Sequence, residues 1–437
     1  MAYNRIYWAI QALGIAREGS HKEAGTHTTA AGDAANINNC YFTPGVQSVG
    51  ITTTFNLEQV FEMGQLSIYQ DVEEVPDVEL SIERVVDSFC LLYSRCADFN
   101  ASCSKNSDGT ASGGVGVTIP QMQNHKVDAW FTLTDDTRDN SGDEKPTNMV
   151  WMSGLYMSSA SFSFATDGNL SESITLVGNH KKWMGAQQGG APTDHMQGIP
   201  SKYGTGADAN ANTPDGSDSG LEVGRIQRRQ NVRLYTHDET ETELTNAHRD
   251  LSGMTGNFDA NKDNGKTAQK GQPTSGPNGT EAKITSATVS VDFGREQINV
   301  LGQKLPYFRY VTFPVEVTCE IEVLARGADN VNALPEANNV NERYLKFFIE
   351  PVEDFKGPIA DAGTGDSANA TQGETASDTA IAEFDLGQKN KLTSVTWGGG
   401  DTGGANSTIT YSYRNFNDLR IVSHRPDWNA QYPGLDN

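Results

Sequence analysis

The segment FNLEQVFEMGQLSIYQDVEEVPDVELSIE, from Phe55 to Glu83, decides the fold because a closely similar segment returns later in the chain. From Phe293 the sequence reads FGREQINVLGQKLPYFRYVTFPVEVTCEIE. At a constant offset of 238 residues, seven of the 22 positions from Phe55 to Pro76 are identical. Unrelated sequences of average composition share about one or two over that length. The repeat predicts that one structural unit occurs twice.

A second pair of segments follows the first in the same order. The residues MSSASFSFATDGNLSESIT, from Met157, resemble LTSVTWGGGDTGGANSTIT, from Leu392, at an offset of 235. Two collinear blocks at nearly equal offsets indicate an internal duplication. We therefore predict two homologous β domains, residues 1–200 and 201–437, with a loop-rich insertion or linker at about 181–283.

The local patterns are those of a mainly β protein. Alternating or β-branched runs such as VELSIERV, AWFTLTD, ATVSVDF and STITYSY recur along the chain. Helical periodicity is scarce, and the window from Asn56 to Gly64 supplies a helical turn or two at most. Polar stretches at 100–116, 180–283 and 357–377 contain little that could enter a core. We expect two domains of β-sandwich or barrel-like form with long polar loop insertions.

Composition restricts the partners and the compartment. The chain has 56 acidic and 33 basic residues and a net charge of −23, which opposes adhesive binding to phosphate backbones. Its apolar runs are far shorter than the roughly 20 residues of a membrane-spanning helix. The N-terminus lacks a basic region before an apolar stretch, so we expect no signal peptide and folding in a cytoplasm. The five cysteines are widely spaced, which favours buried thiols over a zinc site.

Motifs that would carry chemistry are weak. G-x-S-x-G and H-E-x-x-H do not occur. The run from Asp259 departs twice from a calcium loop, since its glycine comes one place late and its twelfth residue is Lys270. The G-x-G-x-x-G match at Gly398 precedes a predicted strand, where a dinucleotide site needs a helix. The basic cluster at 225–233 fits a contact with acidic loops better than nucleic acid. We expect no enzyme activity and no catalytic, cofactor-binding or metal-binding residues.

The two repeated segments resemble those of the tail tube proteins of tailed bacteriophages. In that family a strand is followed by a polar arm that contains a Leu-Gly or Met-Gly pair, and then by a strand of the type V-E-V-S-I-E. Here Met63 with Gly64 and Leu301 with Gly302 provide the pairs, and VELSIE and VEVTCE provide the strands. The resemblance covers both halves of the chain but does not extend to the polar insertions.

The resemblance implies a structural virion protein that forms stacked rings. Each ring would close a β-barrel around a lumen that passes DNA without specific binding. The partners would be further copies of the chain and other tail proteins, in a tail assembled in the host cytoplasm and active in DNA ejection. Three copies could build a pseudo-sixfold ring from two domains each. In the alternative, six copies would each place one domain on the outside.

The arms are the predicted interface. The first arm carries acidic residues where the second carries arginine and lysine, so the arms should meet different partners, and Glu73 is predicted to pair with Arg309 across an interface. The predicted interface residues are Glu58, Gln59, Met63, Gly64, Gln65, Asp71, Glu73, Glu74, Glu296, Gln297, Leu301, Gly302, Gln303 and Arg309.

Two other functions are compatible with a β-rich acidic chain. A capsid decoration or adhesion protein of the virion would bind a lattice or a glycan and would never stack into rings. A polysaccharide hydrolase would need converging carboxylates, for which the sequence offers no characteristic spacing.

Overall fold

The computed structural model of the protein describes fifteen segments of the chain. They are residues 11–18, 41–43, 45–64, 66, 68–86, 91–97, 117–133, 148–185, 226, 228–229, 232–235, 284–325, 345–349, 382–399 and 406–423. Most of the predicted insertion at 181–283, the run from Asp259 and the stretch 357–377 lie outside these segments.

The described residues are almost entirely β-strands, as the sequence predicts. The amino-terminal strands are β1 Gln11–Arg17, β2 Tyr41–Phe42, β3 Val46–Thr54, β4 Leu57–Phe61, β5 Ile68–Glu73, β6 Asp77–Val85, β7 Val117–Thr118, β8 Val127–Leu133, β9 Asn148–Ala165, β10 Ser171–Gly178 and β11 Lys182–Gly185. The carboxyl-terminal strands are β12 Val232–Tyr235, β13 Ile284–Asp292, β14 Glu296–Ile298, β15 Phe308–Tyr310, β16 Glu316–Leu324, β17 Lys346–Ile349, β18 Ala382–Asp385, β19 Lys391–Gly398, β20 Thr408–Phe416 and β21 Arg420–Ser423. One short helix, α1 Leu92–Arg95, and one 3-10 turn, Ile119–Met122, complete the described elements.

One antiparallel sheet runs through both halves of the chain. Eight of its strands follow the order β3-β6-β10-β9-β13-β16-β20-β19, so β9 and β13 join the two halves edge to edge. Strand β9 has 18 residues. Its second part pairs with β10 and β13, whereas its first part pairs with β8 and β11, and β8 in turn pairs with β1. Strand β9 therefore links the part of the sheet that contains β1, β8 and β11 to the part that contains β10 and β13.

The strand order within the sheet is the same in each half. The group β3-β6-β10-β9 corresponds to β13-β16-β20-β19, and in each group a hairpin follows the first strand. The two hairpins also share their register, with Gln59 opposite Asp71 and, 238 residues later, Gln297 opposite Arg309. The window from Asn56, for which the sequence predicts a helical turn or two at most, forms β4 instead, because the hairpin partner β5 satisfies its backbone hydrogen bonds.

A second, five-stranded sheet, in the order β12-β17-β18-β21-β7, packs on the main sheet. Phe162 and Phe164 of β9 contact Phe384 and Phe347 of this second sheet, with ring centroids 4.8 and 5.5 Å apart. The buried apolar residues form one continuous cluster with members from both halves. The two predicted domains thus share a sheet and a core, and their boundary at residue 200 stays a prediction.

Alternation of side chains gives the main sheet one apolar and one polar face. In β6, Val78, Leu80 and Ile82 are buried while the residues between them are exposed, and β16 has the same pattern. Two of the five cysteines are described, and both Cys96 and Cys319 are buried and form no disulfide. This agrees with the prediction of buried thiols for those two positions.

A buried ion pair fixes the short helix against the core. Arg84 of β6 lies 3.5 Å from Glu172 of β10, and neither side chain is accessible to solvent. The Glu172 carboxylate also accepts hydrogen bonds from the backbone N–H groups of Leu92 and Tyr93, at 3.0 and 2.8 Å. It therefore satisfies two amides at the start of α1, where the preceding Leu91 provides no side-chain cap.

Candidate assembly surfaces

Three surfaces of the described structure are candidates for contact with other molecules. They are the two hairpins, the two outer edges of the main sheet, and the polar face of that sheet. The hairpins are here called the first arm, residues 55–76, and the second arm, residues 293–314.

The first arm projects into solvent along both of its strands. Every residue of β4 and β5 is exposed. A two-stranded ribbon has no further strand or helix to bury either face, so its apolar side chains stay accessible. The exposed apolar residues of this arm are Phe55, Leu57, Val60, Phe61, Met63, Leu66, Ile68, Tyr69 and Val72. Contiguous exposed apolar groups of this kind mark contact surfaces.

The second arm has the same shape and a smaller exposed surface. Its exposed apolar residues are Ile298, Val300, Leu301, Leu305, Tyr307 and Phe313. Gly64 and Gly302 occupy equivalent positions in the two turns, with φ of 89° and 88°. These left-handed angles favour glycine, which explains why the Met-Gly and Leu-Gly pairs recur.

The predicted interface residues lie almost wholly on the arm surfaces. Glu58, Gln59, Asp71 and Glu73 are on β4 and β5, Glu74 follows β5, and Met63 and Gly64 form the turn. Glu296 and Gln297 are on β14, while Leu301, Gly302 and Gln303 form the second turn. Gln65 lies outside the described residues.

Arg309 differs from the others because it is buried and has a partner within the chain. Its guanidinium forms an ion pair with Asp77, at the start of β6, and donates hydrogen bonds of 3.2 and 3.3 Å to the side-chain oxygen of Asn179. Asn179 and Asn56 each donate a hydrogen bond to the same Asp77 carboxylate. These four side chains, here called the arm-base network, connect the bases of the two arms. The predicted pairing of Arg309 with Glu73 across an interface remains a prediction.

Arg295 caps the junction between β9 and β13. Its guanidinium donates hydrogen bonds of 2.7 Å to the backbone oxygens of Met157 and Met122, and further ones to Gln123 and Arg309. Burial lowers the pKa of Arg295 from 12.5 to about 10, so the side chain stays charged at neutral pH. In the sequence Arg295 is one of the basic residues that distinguish the second arm, where it replaces Leu57 of the first, but it is not among the predicted interface residues.

The two ends of the eight-strand path in the main sheet, here called its outer edges, are β3 and β19. Among the described strands, β3 pairs only with β6 and β19 only with β20. Both edges are long for exposed strands, and Lys391 is the one charged residue in either of them. An unprotected edge of this length is a template for pairing with another strand.

The polar face of the main sheet consists mostly of hydroxyl and carboxylate side chains. One row across six strands contains Glu83, Ser173, Ser161, Ser290, Thr318 and Arg414. Apart from Asp77, which pairs with Arg309, the acidic residues on this face are Glu79, Glu83, Asp292, Glu316, Glu320 and Glu322, and the basic ones are Lys391 and Arg414. Hydrogen bonds from the hydroxyls of Thr408 and Ser286 lower the pKa of Glu322. The face is therefore negatively charged at neutral pH.

No protein-family model matches the chain, and no curated protein sequence does. Three solved structures that resemble parts of it come from phage-tail-like particles. A chain of the anti-feeding prophage baseplate matches with a TM-score of 0.28 and 10% identity, over 43% of this chain and 100% of its own length. A chain of the anti-feeding prophage cap, which terminates the tube, gives 0.26 and 12% over 43% and 95%. A chain of the sheath-tube complex of an extracellular contractile injection system, in the extended state, gives 0.26 and 12% over 42% and 95%.

Among the described residues, no group of three or more His, Cys, Asp or Glu side chains is placed to hold a metal ion. In those residues no helix is long and apolar enough to span a membrane.

Proposed function

We propose that the protein is a structural subunit of a phage tail tube, which assembles with copies of itself into stacked rings around a lumen that conducts DNA. The polar face of the main sheet carries this proposal. Among the described residues it extends across eight strands, combines short serine and threonine side chains with carboxylates, and is negatively charged.

The chemistry of that face suits the passage of DNA. Its serine and threonine side chains are short, so they project little from the sheet toward a passing duplex. Six carboxylates against two cations repel phosphates, and the described residues of the face include no cluster of Lys and Arg side chains whose contacts would release counterions and hold DNA in place. A lumen of this kind would let DNA slide.

A duplication of one ring-forming unit accounts for the two halves. Each half contributes four strands in the same order, followed at the same point by an arm of the same register. Both halves lie in one sheet, which favours three copies in a pseudo-sixfold ring over six copies that each carry an outer domain. The arms, exposed and apolar, would contact neighbouring copies or other tail proteins. We assign the chain a structural role in a virion assembled in the host cytoplasm, with no enzyme activity.

The test is negative-stain electron microscopy of the purified full-length protein over a range of concentrations. The expected result is rings that stack into tubes with an open centre, and light scattering should give a mass per ring of three chains. A field of isolated particles at every concentration would contradict the proposal and would favour a decoration or adhesion protein.

A further inference from the structure

We infer that β19 of one copy pairs antiparallel with β3 of a second copy, in the register that the β9–β13 junction shows within the chain. The exposed apolar residues Phe55, Leu57 and Trp397 would be covered in this contact. The inference deepens the proposed function and rests on it, because a ring requires a junction between copies.

The junction within the chain provides the template. Strands β9 and β13 pair over seven residues, with Phe162 opposite Val289 and Ser161 opposite Ser290. The contact continues past the end of β13, where the backbone N–H of Phe293 donates to the Ser158 oxygen at 2.9 Å. The strand at the edge of the first four-stranded group, β9, thus pairs with the strand at the edge of the second group, β13.

The repeat relates the outer edges to this template. Thr54 and Asp292 are the last paired residues before their arms, opposite Asp77 and Glu316, and they differ by 238 residues. Strands β9 and β19 correspond at an offset of 235, which places Trp397 at the position of Phe162. These two offsets place Trp397 of one copy opposite Ile51 of the second copy, and Thr396 of one copy opposite Thr52 of the second.

The side-chain orientation in the two edge strands agrees with this register. Thr52 lies opposite Glu79, and Thr396 lies opposite Thr410, so both threonines are on the polar face of the sheet. Ile51 and Trp397 are on the apolar face. A register shifted by one residue would place the hydrophobic side chains of one edge beside the polar side chains of the other.

Equivalent side chains are buried at the inner junction and exposed at the outer edges, as expected if a second copy covers the outer edges. Phe293 is 0% exposed at the inner junction, whereas its equivalent Phe55 is 70% exposed. Phe162 is likewise 0% exposed, whereas Trp397 is 67% exposed. The outer edges present to solvent the side chains that the inner junction buries, and a second copy would bury them in the same way.

The two junctions differ in one chemical respect. Arg295 caps the inner junction by donating to four backbone oxygens, and the equivalent residue at the outer edge is the exposed Leu57. The contact between copies therefore depends on apolar burial where the inner junction uses a guanidinium. Apolar contacts are little weakened by moderate salt, so this junction should persist at salt concentrations that screen surface ion pairs.

The test uses cysteine pairs introduced into the full-length chain. Thr52→Cys combined with Thr396→Cys places two thiols directly opposite each other between copies, within the distance that a disulfide spans. Thr52→Cys with Ser394→Cys is the matched control, because its thiols lie on the same face but two residues apart along the strand. Ser161→Cys with Ser290→Cys is the positive control within one chain. The five native cysteines are controlled for by the parent protein and the single variants.

Mild oxidation followed by non-reducing electrophoresis gives the readout, with microscopy of the same samples. We expect covalent multimers for the first pair, few for the matched control, and, for the positive control, a monomer that migrates faster than its reduced form. Rings in the microscope with equal cross-linking by the first two pairs would overturn the register and leave the proposed function standing. Absence of both rings and cross-links would overturn both.

Discussion

The guanidinium of Arg309, on the second arm, forms an ion pair with the carboxylate of Asp77, at the base of the first arm. The two residues are 232 positions apart in the sequence. Arg309 is buried and also donates to Asn179, so the arm-base network fixes the position of one arm relative to the other.

Charge exchange should identify the true partner of Arg309. Arg309→Glu places a carboxylate beside Asp77 and should lower stability by about 2 kcal/mol, through repulsion and the loss of hydrogen bonds to a charged group. Adding Asp77→Arg should restore most of that loss, as measured by urea unfolding. Adding Glu73→Arg to Arg309→Glu should not restore the lost stability. If Glu73→Arg rescues ring assembly and Asp77→Arg has no effect, Arg309 acts across an interface as the sequence suggested.

The acidic residue Glu172 should be essential for stability. Glu172→Gln removes the charge that compensates the buried Arg84, and breaking a buried pair in this way costs about 3 kcal/mol or more. Urea unfolding measures the change. Glu83→Gln is the control, because Glu83 is next to Arg84 in sequence but exposed, and it should change stability by less than about 0.5 kcal/mol.

Substitution of Trp397 should impair assembly without affecting folding, whereas substitution of Phe162 should destabilise the fold. Trp397→Ala should leave the unfolding free energy of the isolated chain nearly unchanged, because the side chain is exposed there, yet it should greatly reduce ring formation. Phe162→Ala removes a fully buried ring and should cost about 4 kcal/mol. Chemical unfolding and light scattering report the two effects. Normal ring formation by Trp397→Ala would show that the outer edge does not bury this residue.

The arm tips should act in assembly alone. Met63→Asp and Leu301→Asp introduce charge at fully exposed turn positions, so thermal unfolding of the monomer should be unchanged while stacking of rings decreases. Trp183→Asp is the control, since Trp183 is an exposed apolar residue outside the arms and the outer edges. An equal effect of all three variants would indicate nonspecific loss of solubility.

Charge reversal on the polar face should create DNA binding. Glu83→Lys with Glu320→Lys turns two carboxylates of the polar face into cations in every copy, and assembled rings should then retain duplex DNA with an affinity that falls steeply with salt. The unaltered rings should not retain it. Glu58→Lys with Glu73→Lys, on the first arm, adds the same charge away from the polar face and should have a much smaller effect. Filter binding at several salt concentrations measures the difference.

The sequence predicted the β class and both arms well, because alternation and turn glycines are local signals. The pairs ending in Gly64 and Gly302 marked the arms, although not their hairpin turns, and VELSIERV and VEVTCEIEV marked strands that the structure contains. Thirteen of the predicted interface residues are described, and twelve of them lie at the arm surfaces or turns. Arg309 is the exception, because sequence spacing does not show which carboxylate a long side chain reaches.

By itself, then, the sequence determined the strands, the repeat and the acidic character of the chain, since each depends on residue types at short spacing. Only the tertiary structure decided that β9 and β13 join the two halves, that Arg295 caps this junction, and that the carboxylates of β6 and β16 share one face. These features depend on strand order and on contacts between residues more than a hundred positions apart. Such contacts form when the apolar faces of both halves are buried in one core, and no local pattern encodes that choice.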